Sequence, residues 1–265
     1  MPQKLPIINV LTVAGSDSGG ASGIQADLKT FARFGLHGLS AVTAVTAQTL
    51  HEVDSVHCVP AEQVERQLRA LFGGFRIDAV KIGMLGSAAN VAAVARVLRE
   101  NRARNIVLDP VLASSSGSTL LSARGLQALR TQLIPLADVL TPNLPEAALL
   151  LKRSVREADA EDAAGELLEL GARAVLLKGG HGRGAFVRDV LVDTQGSRAF
   201  EHARLDVRAR GTGCVLASTI AAGLAMGRSP RRSIAFAEQF LQRALRHSYA
   251  PTRERIKVLD VFAKI

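Results

Sequence analysis

The sequence predicts an α/β fold in which helices cover both faces of a mostly parallel β-sheet, accompanied by a small antiparallel hairpin. Three observations lead to this prediction. Short apolar runs alternate regularly with segments of helical period. The runs are continuously apolar, as strands buried on both faces are. At 185–204 the alternation gives way to two β-rich runs separated by TQGS, which is typical of a hairpin.

The predicted elements follow one another as strand and helix. In chain order the pairs are 7–15 with 23–35, 39–47 with 60–72, 79–83 with 87–100, 105–111 with 122–132, and 137–143 with 143–151; helix 159–170 then leads to strand 174–180, and helices 212–226 and 230–247 follow the hairpin. In the first pair, IINVLTVAG is an unbroken apolar run, which predicts a strand, and GIQADLKTFARFG places apolar residues at helical spacing, which predicts a helix. No linker, repeat or low-complexity segment divides the chain, so residues 1–265 are interpreted as a single domain.

Composition narrows the class of protein. With 48% hydrophobic and 22% charged residues the chain is globular rather than disordered. Its two cysteines, Cys58 and Cys214, do not make a disulfide framework and suit a reducing compartment. The first residues, MPQKLPIINVLTVAGSD, lack the features of a signal peptide, and their apolar stretch is too short to cross a membrane. We therefore expect a cytoplasmic protein with no membrane partner.

The net charge of +9 has two interpretations. It could attract anionic ligands such as nucleotides, or it could describe an arginine-rich solvated surface. The chain has one tyrosine and no tryptophan for base stacking, and its basic runs contain no aromatic residues. We therefore expect no nucleic-acid partner.

Polar and glycine-rich clusters follow four of the predicted strands. GSDSGGASG follows the first strand, DPVLASSSG the fourth, TPNLPE the fifth and KGGHG the sixth. Ligands of such sheets bind outside the carboxyl ends of the strands. The clusters therefore predict a ligand site at that edge of the sheet.

The segment RARGTGCVLAST, residues 208–219, carries the most specific chemistry. Gly211 and Gly213 flank Thr212 where an apolar helix begins, so free backbone amides and the helix dipole favour an anion there. A tight turn without a ligand is the alternative. Because a helix N-terminus can lower the pKa of a thiol, we expect the Cys214 thiol to titrate near neutrality, as a general base would. A small buried hydrophobe is the other interpretation of Cys214, and the preferred one for Cys58.

The segment TPNLPEA also has two interpretations. Asn143 can cap a helix with Pro145 in its first turn, and Glu146 stands where it completes a capping box. Alternatively, Glu146 holds Mg²⁺ or its water beside a nucleotide phosphate. The spacing of the residues does not separate these two roles.

Two charged residues end predicted strands. Lys178, before Gly179, could meet a phosphate or simply reach solvent, and Asp109 could lie near a metal ion or be a turn residue. No Walker-type P-loop and no zinc-spaced cluster occurs in the sequence. His51 and His57 are placed on a solvated loop.

Seven segments together resemble the hydroxymethylpyrimidine/phosphomethylpyrimidine kinases of thiamine biosynthesis, which belong to the ribokinase-like superfamily. In order along residues 8–245 they are TVAGSDSGGASGIQADLKTF, VTAQT, VKIGML, VLDPV, TPNLPEA, LLKGGH and GTGCVLAS. The resemblance implies a ribokinase-like three-layer α/β/α sandwich and a homodimer. It also implies phosphoryl transfer from Mg-ATP to the hydroxymethyl group of 4-amino-5-hydroxymethyl-2-methylpyrimidine, and then a second transfer to the monophosphate.

The resemblance implies which residues bind the pyrimidine. Gln48 reads the aminopyrimidine edge, where an amide offers a donor and an acceptor together. Met84 and Val111 pack against the ring, and Asp27 and Gly15 face the same pocket. Cys214 stands where most ribokinase-like sugar kinases carry an aspartate base.

The resemblance likewise implies how the phosphates are held. Cys214 accepts the hydroxymethyl proton, and the amides of Gly211, Thr212 and Gly213 stabilise charge on the transferred group. The expected ATP-binding residues are Lys178, Gly179, Asn143 and Thr212, with Mg²⁺ near Glu146 and Asp109.

The chain departs from the pattern of this family at several positions. A lysine is usual at Ser115, an acidic residue at Ser118, a histidine at Arg210, and Gly-Ala at 21–22. The tail HSYAPTRERIKVLDVF also lacks the usual glycine- and histidine-rich ending. Because fewer cationic or polar groups remain for a substrate phosphate, the sequence leaves the second phosphorylation open.

The sequence allows two alternative functions. A pyridoxal kinase of the same superfamily would share most of these segments, although Gln48 favours the aminopyrimidine. A non-catalytic protein that binds a pyrimidine or a nucleotide for regulation would fit the departures, although the intact GTGC turn argues against it. Nucleotide preference is not indicated by the sequence.

Overall fold

A computed structural model of the protein describes residues 7–113, 120–180, 184–252 and 255–263. The strands are β1 (Asn9–Asp17), β2 (His37–Gln48), β3 (Val53–Cys58), β4 (Ala79–Ile82), β5 (Ile106–Leu108), β6 (Val139–Leu140), β7 (Ala174–Leu177), β8 (Phe186–Asp193), β9 (Gly196–Ala203), β10 (Ala209–Arg210) and β11 (Lys257–Val258). The helices are α1 (Gly23–Arg33), α2 (Ala61–Gly74), α3 (Ala88–Glu100), α4 (Ala123–Ala128), α5 (Leu144–Leu151), α6 (Ala160–Leu168), α7 (Thr212–Ala225) and α8 (Pro230–Arg246).

Nine strands form one sheet in the order β3-β2-β1-β4-β5-β6-β7-β8-β9. The six strands from β2 to β7 in this order pair in parallel, whereas β3, β8 and β9 join antiparallel. The mostly parallel sheet and the hairpin are therefore confirmed, and the hairpin β8–β9 extends one edge of the sheet. The order reverses at β1, which lies between β2 and β4, so the carboxyl end of β1 is the expected ligand-binding point.

The sheet is buried on both faces. Leu11 and Val13 of β1 belong to a core built with α2, α3, α5 and α6. Val10 of the same strand belongs to the opposite core, built with α1, α7 and α8. Because successive strand residues enter opposite cores, the strands read as unbroken apolar runs in the sequence.

Several elements differ from the sequence prediction. β3 was taken for a solvated loop, but it is an exposed edge strand, and His57 pairs with Val45 of β2 within it. The residues of β3 are mostly exposed, so the sequence of this strand shows no apolar pattern from which a strand could be predicted. The predicted helix 122–132 is α4 followed by a π-helical turn, Leu129–Leu133. In the described part of the chain, no helix is both long enough and apolar enough to cross a bilayer.

Candidate active site

A cavity of about 840 Å³ opens at the carboxyl ends of the parallel strands, next to β1. This volume lies within the range of small-molecule sites. It contains most of the residues that the sequence singled out. Its lining includes Gly15, Gln48, Met84, Asp109, Val111, Asn143, Glu146, Lys178, Gly211, Thr212, Gly213 and Cys214. Residues far apart in sequence therefore meet at the predicted edge of the sheet.

The glycine turn that begins α7 is held in a conformation that only glycine adopts easily. Gly211 caps the helix with φ of +83°, and a Cβ there would lie 2.0 Å from the carbonyl oxygen of Ala21. A Cβ at Gly213 would lie 3.3 Å from both Asp109 Oδ2 and Lys178 Nζ. The turn thus brings free helix amides beside a charged pair at the cavity wall, which is the arrangement an anion requires.

Two departures from the family pattern fix this turn in place. The Arg210 guanidinium donates to the carbonyl oxygens of Leu50 and His51, at 2.5 and 2.8 Å, in the loop after Gln48. The C-terminal tail supplies β11, which pairs with β10 immediately before the turn. Arg210 therefore links the start of the glycine turn to the loop after Gln48, and the tail holds β10 in place before that turn. Ser115 and Ser118 lie outside the described residues.

Lys178 does not simply extend into bulk solvent, because its side chain lines the cavity and is only 14% exposed. Its Nζ donates to Asp109 Oδ1 over 2.8 Å; the Asp109 side chain is buried and that of Lys178 is partly buried. Burial would lower the pKa of Lys178, but the charges of Asp109 and Glu146 outweigh it and raise the pKa. Lys178 is therefore a fixed cation at the cavity wall.

The capping interpretation of TPNLPEA is confirmed. Asn143 Oδ1 accepts from the Glu146 amide at 2.9 Å, and Glu146 Oε2 accepts from the Asn143 amide at 2.8 Å. Glu146 nevertheless also lines the cavity, so the two roles do not compete. Burial raises the pKa of the Glu146 carboxyl to about 7; Lys178 opposes this and Asp109 adds to it.

The carboxylates of Asp109 and Glu146 fit Mg²⁺ as partial ligands. No group of three or more His, Cys, Asp or Glu side chains suited to a metal occurs among the residues the structure describes. Mg²⁺ commonly takes one or two carboxylates and completes its shell with water and substrate phosphates. A cation would also relieve the unfavourable burial of Glu146, which its raised pKa reflects.

The expectation that the Cys214 thiol titrates near neutrality is wrong. Cys214 is half-buried in the lining of the cavity, with its backbone in the first turn of α7. Burial raises the pKa of the thiol to about 11, and the charges of Asp27 and Asp109 add to this rise. Lys81 and the amide of Gly23 act in the opposite direction. Loss of hydration thus outweighs the attraction of the Lys81 charge.

The expectation that Asp27 faces the pyrimidine pocket is also wrong. Asp27 is fully buried under the cavity and is not part of its lining. Thr12 Oγ1 and Lys81 Nζ donate to its Oδ2 at 2.6 and 2.9 Å, and Ser218 Oγ donates to its Oδ1 at 2.7 Å. Its oxygens are therefore occupied by protein groups rather than open to a ligand.

Gly179 does not line the cavity, contrary to its expected contact with ATP. Its amide donates to Asp189 Oδ1 at 2.6 Å. A Cβ at this position would lie 2.2 Å from the carbonyl oxygen of Arg188. The glycine is therefore needed for the close approach of β8, while Gly180 is the neighbour that reaches the cavity.

The residues expected to bind the pyrimidine, apart from Asp27, also line this cavity. The backbone of Gln48 is fixed by Ser18, whose Oγ both accepts from its amide and donates to its carbonyl, each at 2.8 Å. Gly15 lies next to Met84, because a Cβ at Gly15 would be in ordinary van der Waals contact, 3.5 Å, with the Met84 sulfur. Val111 follows β5 in the same lining.

Lys81 is a residue of the cavity that the sequence did not lead us to predict. It lies in β4, is fully buried, and contributes to the cavity lining. A signal was present, because VKIGML places a charge inside an apolar run that predicts a buried strand. Lysine is almost never fully buried unless it is paired.

The fold and this site define a kinase of the ribokinase-like class, a small-molecule phosphotransferase. Among solved structures, the chain is similar to a Bacillus subtilis pyridoxal kinase in complex with ADP, with a TM-score of 0.89 and 31% identity over 97% of this chain and 98% of that one. It is also similar to the phosphomethylpyrimidine kinase of Clostridium difficile, with a TM-score of 0.79 and 35% identity over 89% and 98% of the two chains.

The phosphomethylpyrimidine kinase family model matches residues 17–258, and the chain belongs to that family. It is 42% identical to a hydroxymethylpyrimidine/phosphomethylpyrimidine kinase of Salmonella typhimurium over 90% of this chain and 91% of that protein. It is 44% identical to a thiamine biosynthesis bifunctional protein of Geobacter sulfurreducens over 90% of this chain. The chain spans about half, 49%, of that longer relative.

Proposed function

We propose that this protein transfers the γ-phosphoryl group of ATP to 4-amino-5-hydroxymethyl-2-methylpyrimidine, and then phosphorylates the monophosphate, in thiamine biosynthesis. One observation carries the proposal. A single cavity joins Gln48, suited to an aminopyrimidine edge, with Cys214, the amides of the GTG turn and the cation Lys178. The family membership of the chain supports the same reaction.

In the proposed reaction the hydroxymethyl oxygen attacks the γ-phosphorus in line, and ADP leaves. The amides of Thr212 and Gly213 and the Lys178 ammonium face the charge on the transferred group, and such positioning supplies most of the catalysis in phosphoryl transfer. Cys214, as thiolate, takes the hydroxymethyl proton. Its high pKa leaves little thiolate at neutral pH but makes that thiolate a strong base.

Mg²⁺ is proposed as the accompanying ion. It would neutralise phosphate charge as the bond to ADP breaks. Asp109 and Glu146 would hold it together with the phosphates, and Asn143 orients Glu146 through the capping box. Thr212, at the first position of α7, would contact the nucleotide phosphates.

Pyridoxal phosphorylation is the second candidate. The specific observation in its favour is that the pyridoxal kinase neighbour covers more of this chain, with a TM-score of 0.89 against 0.79 for the phosphomethylpyrimidine kinase. Side-by-side turnover of pyridoxal and the pyrimidine alcohol at equal concentration separates the two. We expect kcat/KM to be higher for the pyrimidine; a higher value for pyridoxal would reassign the function. No ATP consumption with either substrate would favour a non-catalytic binding protein.

We further propose that the protein is a cytoplasmic homodimer. The dimer is supported by the family resemblance and by the exposed edge strand β3, where Val56 of β3 and Val45 of the adjacent β2 are exposed. Light scattering during size-exclusion chromatography tests the dimer, and cell fractionation tests the location. A monomer at micromolar concentration, or recovery in a membrane or secreted fraction, would overturn these statements.

A further inference from the structure

A buried ion pair lies directly beneath the cavity. Lys81 Nζ donates to Asp27 Oδ2 over 2.9 Å, and both side chains are fully buried. Taking two charges out of water costs free energy that their attraction does not always recover. A fully buried pair therefore suggests a role for these residues other than stabilising the fold.

The pair is tied to the helix that carries Cys214. Ser218 donates to Asp27 Oδ1 at 2.7 Å, and it follows Cys214 by four residues in α7, so the two side chains share one face of that helix. Thr12 of β1 donates to the other Asp27 oxygen at 2.6 Å. Asp27 thus joins α1, β1, β4 and α7 beneath the reacting sulfur.

Lys81 is the member of the pair that reaches the cavity. It lines the cavity with Cys214, whereas Asp27 does not. An ammonium has three N–H donors, so the contact with Asp27 does not exhaust its hydrogen-bonding capacity. A Cβ at Gly83 would come within 2.8 Å of Lys81 Nζ, so that glycine leaves space for the ammonium to lie along β4.

We propose that Lys81, held by Asp27, is a positioning residue that places a fixed positive charge beside the Cys214 sulfur and thereby sets how readily that sulfur holds or gives up a proton. This proposal rests on the proposed base role of Cys214. The other charged groups facing the sulfur are Asp27 and Asp109, which favour the thiol, and Lys178 on the phosphate side. Lys81 is the largest charge that favours the thiolate.

The test measures alkylation of Cys214 by iodoacetamide from pH 6.5 to 10 without substrate, by mass spectrometry of the Cys214 peptide, with the Cys58 peptide as internal reference. Lys81→Met should slow the reaction at pH 8 by about tenfold, because each unit of rise in pKa reduces the thiolate fraction tenfold. General loosening of the fold would instead expose the sulfur and speed the reaction. An unchanged or faster reaction in folded Lys81→Met would overturn the proposal.

Two further variants keep the test decisive. If Lys81→Met fails to fold, the double variant Asp27→Asn/Lys81→Met leaves no unpaired buried charge; it should also slow alkylation, by less. Equal or faster alkylation in that double variant would likewise overturn the proposal. Asp193→Asn is the control, because it breaks a partly buried pair with Arg231 away from the cavity and should leave alkylation unchanged.

Turnover provides a second readout. Lys81→Met should lower kcat by up to about tenfold with little change in the KM of the pyrimidine, and because pH 7 to 9 lies below the thiol pKa of about 11, the ratio of its kcat to that of the wild type should stay constant over this range. Since alkylation needs no catalysis, an inactive wild-type protein with the expected alkylation shift would refute the proposed function and leave the Lys81–Cys214 coupling standing.

Discussion

Lys178 and Asp109, which are 69 residues apart in sequence, meet at the cavity wall with 2.8 Å between Nζ and Oδ1. Asp109 follows β5 and Lys178 follows β7, two strands separated by β6, and both side chains lie beside the glycine turn of α7. The relationship makes Lys178 a cation that is already desolvated before a phosphate arrives. Such preorganised charge is worth more than the same charge in water.

Lys178→Met should therefore lower kcat/KM for ATP by about 100-fold or more, because one preorganised donor to the transferred group is lost. Steady-state kinetics with varied ATP measure this. Lys152→Met, at an exposed lysine outside the cavity, should behave as wild type. Equal effects of the two substitutions would remove Lys178 from the phosphate site.

Gln48→Ala should raise the KM of the pyrimidine by about tenfold, in line with the loss of one or two hydrogen bonds, and leave the KM of ATP unchanged. The exposed residue Gln63 on α2 provides the control Gln63→Ala. If both KM values rise together, Gln48 supports the cavity as a whole instead of reading the ring.

Gly211→Ala should abolish most activity, because its Cβ would meet the Ala21 carbonyl at 2.0 Å and push the turn away. Gly227→Ala is a matched control for backbone strain, since Gly227 has φ of +80° but open space around it. Both should lose about 1 kcal/mol or more of stability, and only Gly211→Ala should lose kcat. Denaturation curves and turnover on the same samples decide this, and retention of kcat by Gly211→Ala would contradict it.

Glu238→Gln should stabilise the protein more at pH 8 than at pH 5. Burial, with the neighbouring charge of Asp189 and the hydrogen bond to its carboxyl, raises the pKa of Glu238 well above 4.5. The folded state therefore holds a proton that the unfolded state loses, so this contribution to stability is full below about pH 4.5 and is lost as pH rises toward the folded pKa. Glutamine keeps the neutral form at every pH.

Thermal midpoints at the two pH values measure that difference. Glu62→Gln, at an exposed carboxylate of α2, should shift the midpoint little and equally at both. A stabilisation by Glu238→Gln that does not change with pH would show that Glu238 is ionised in the folded protein.

Local patterns in the sequence were sufficient for the parallel sheet and for the capping box at Asn143, because both depend on short-range periodicity and spacing. The strand β3 was not predicted, because its residues are mostly exposed and show no periodic pattern of apolar residues. At the site, the glycine turn was predictable because Gly211 requires positive φ next to a helix start.

Electrostatic properties were less predictable. The helix start at Cys214 is visible in the sequence, but the burial that raises the pKa of the thiol comes from residues brought together by tertiary structure. The same holds for Asp27, whose oxygens are taken by side chains from three other elements. Sequence spacing contains no information on such partners.

The most direct test is mass spectrometry of the products formed from the pyrimidine alcohol and Mg-ATP by wild-type protein and by Cys214→Ala. We predict the monophosphate and then the diphosphate with wild type, and at least about 100-fold slower formation of both with the variant, as expected for loss of a general base. If folded wild-type protein forms neither product, or if Cys214→Ala forms them at the wild-type rate, the proposed transfer at the GTGC turn is contradicted.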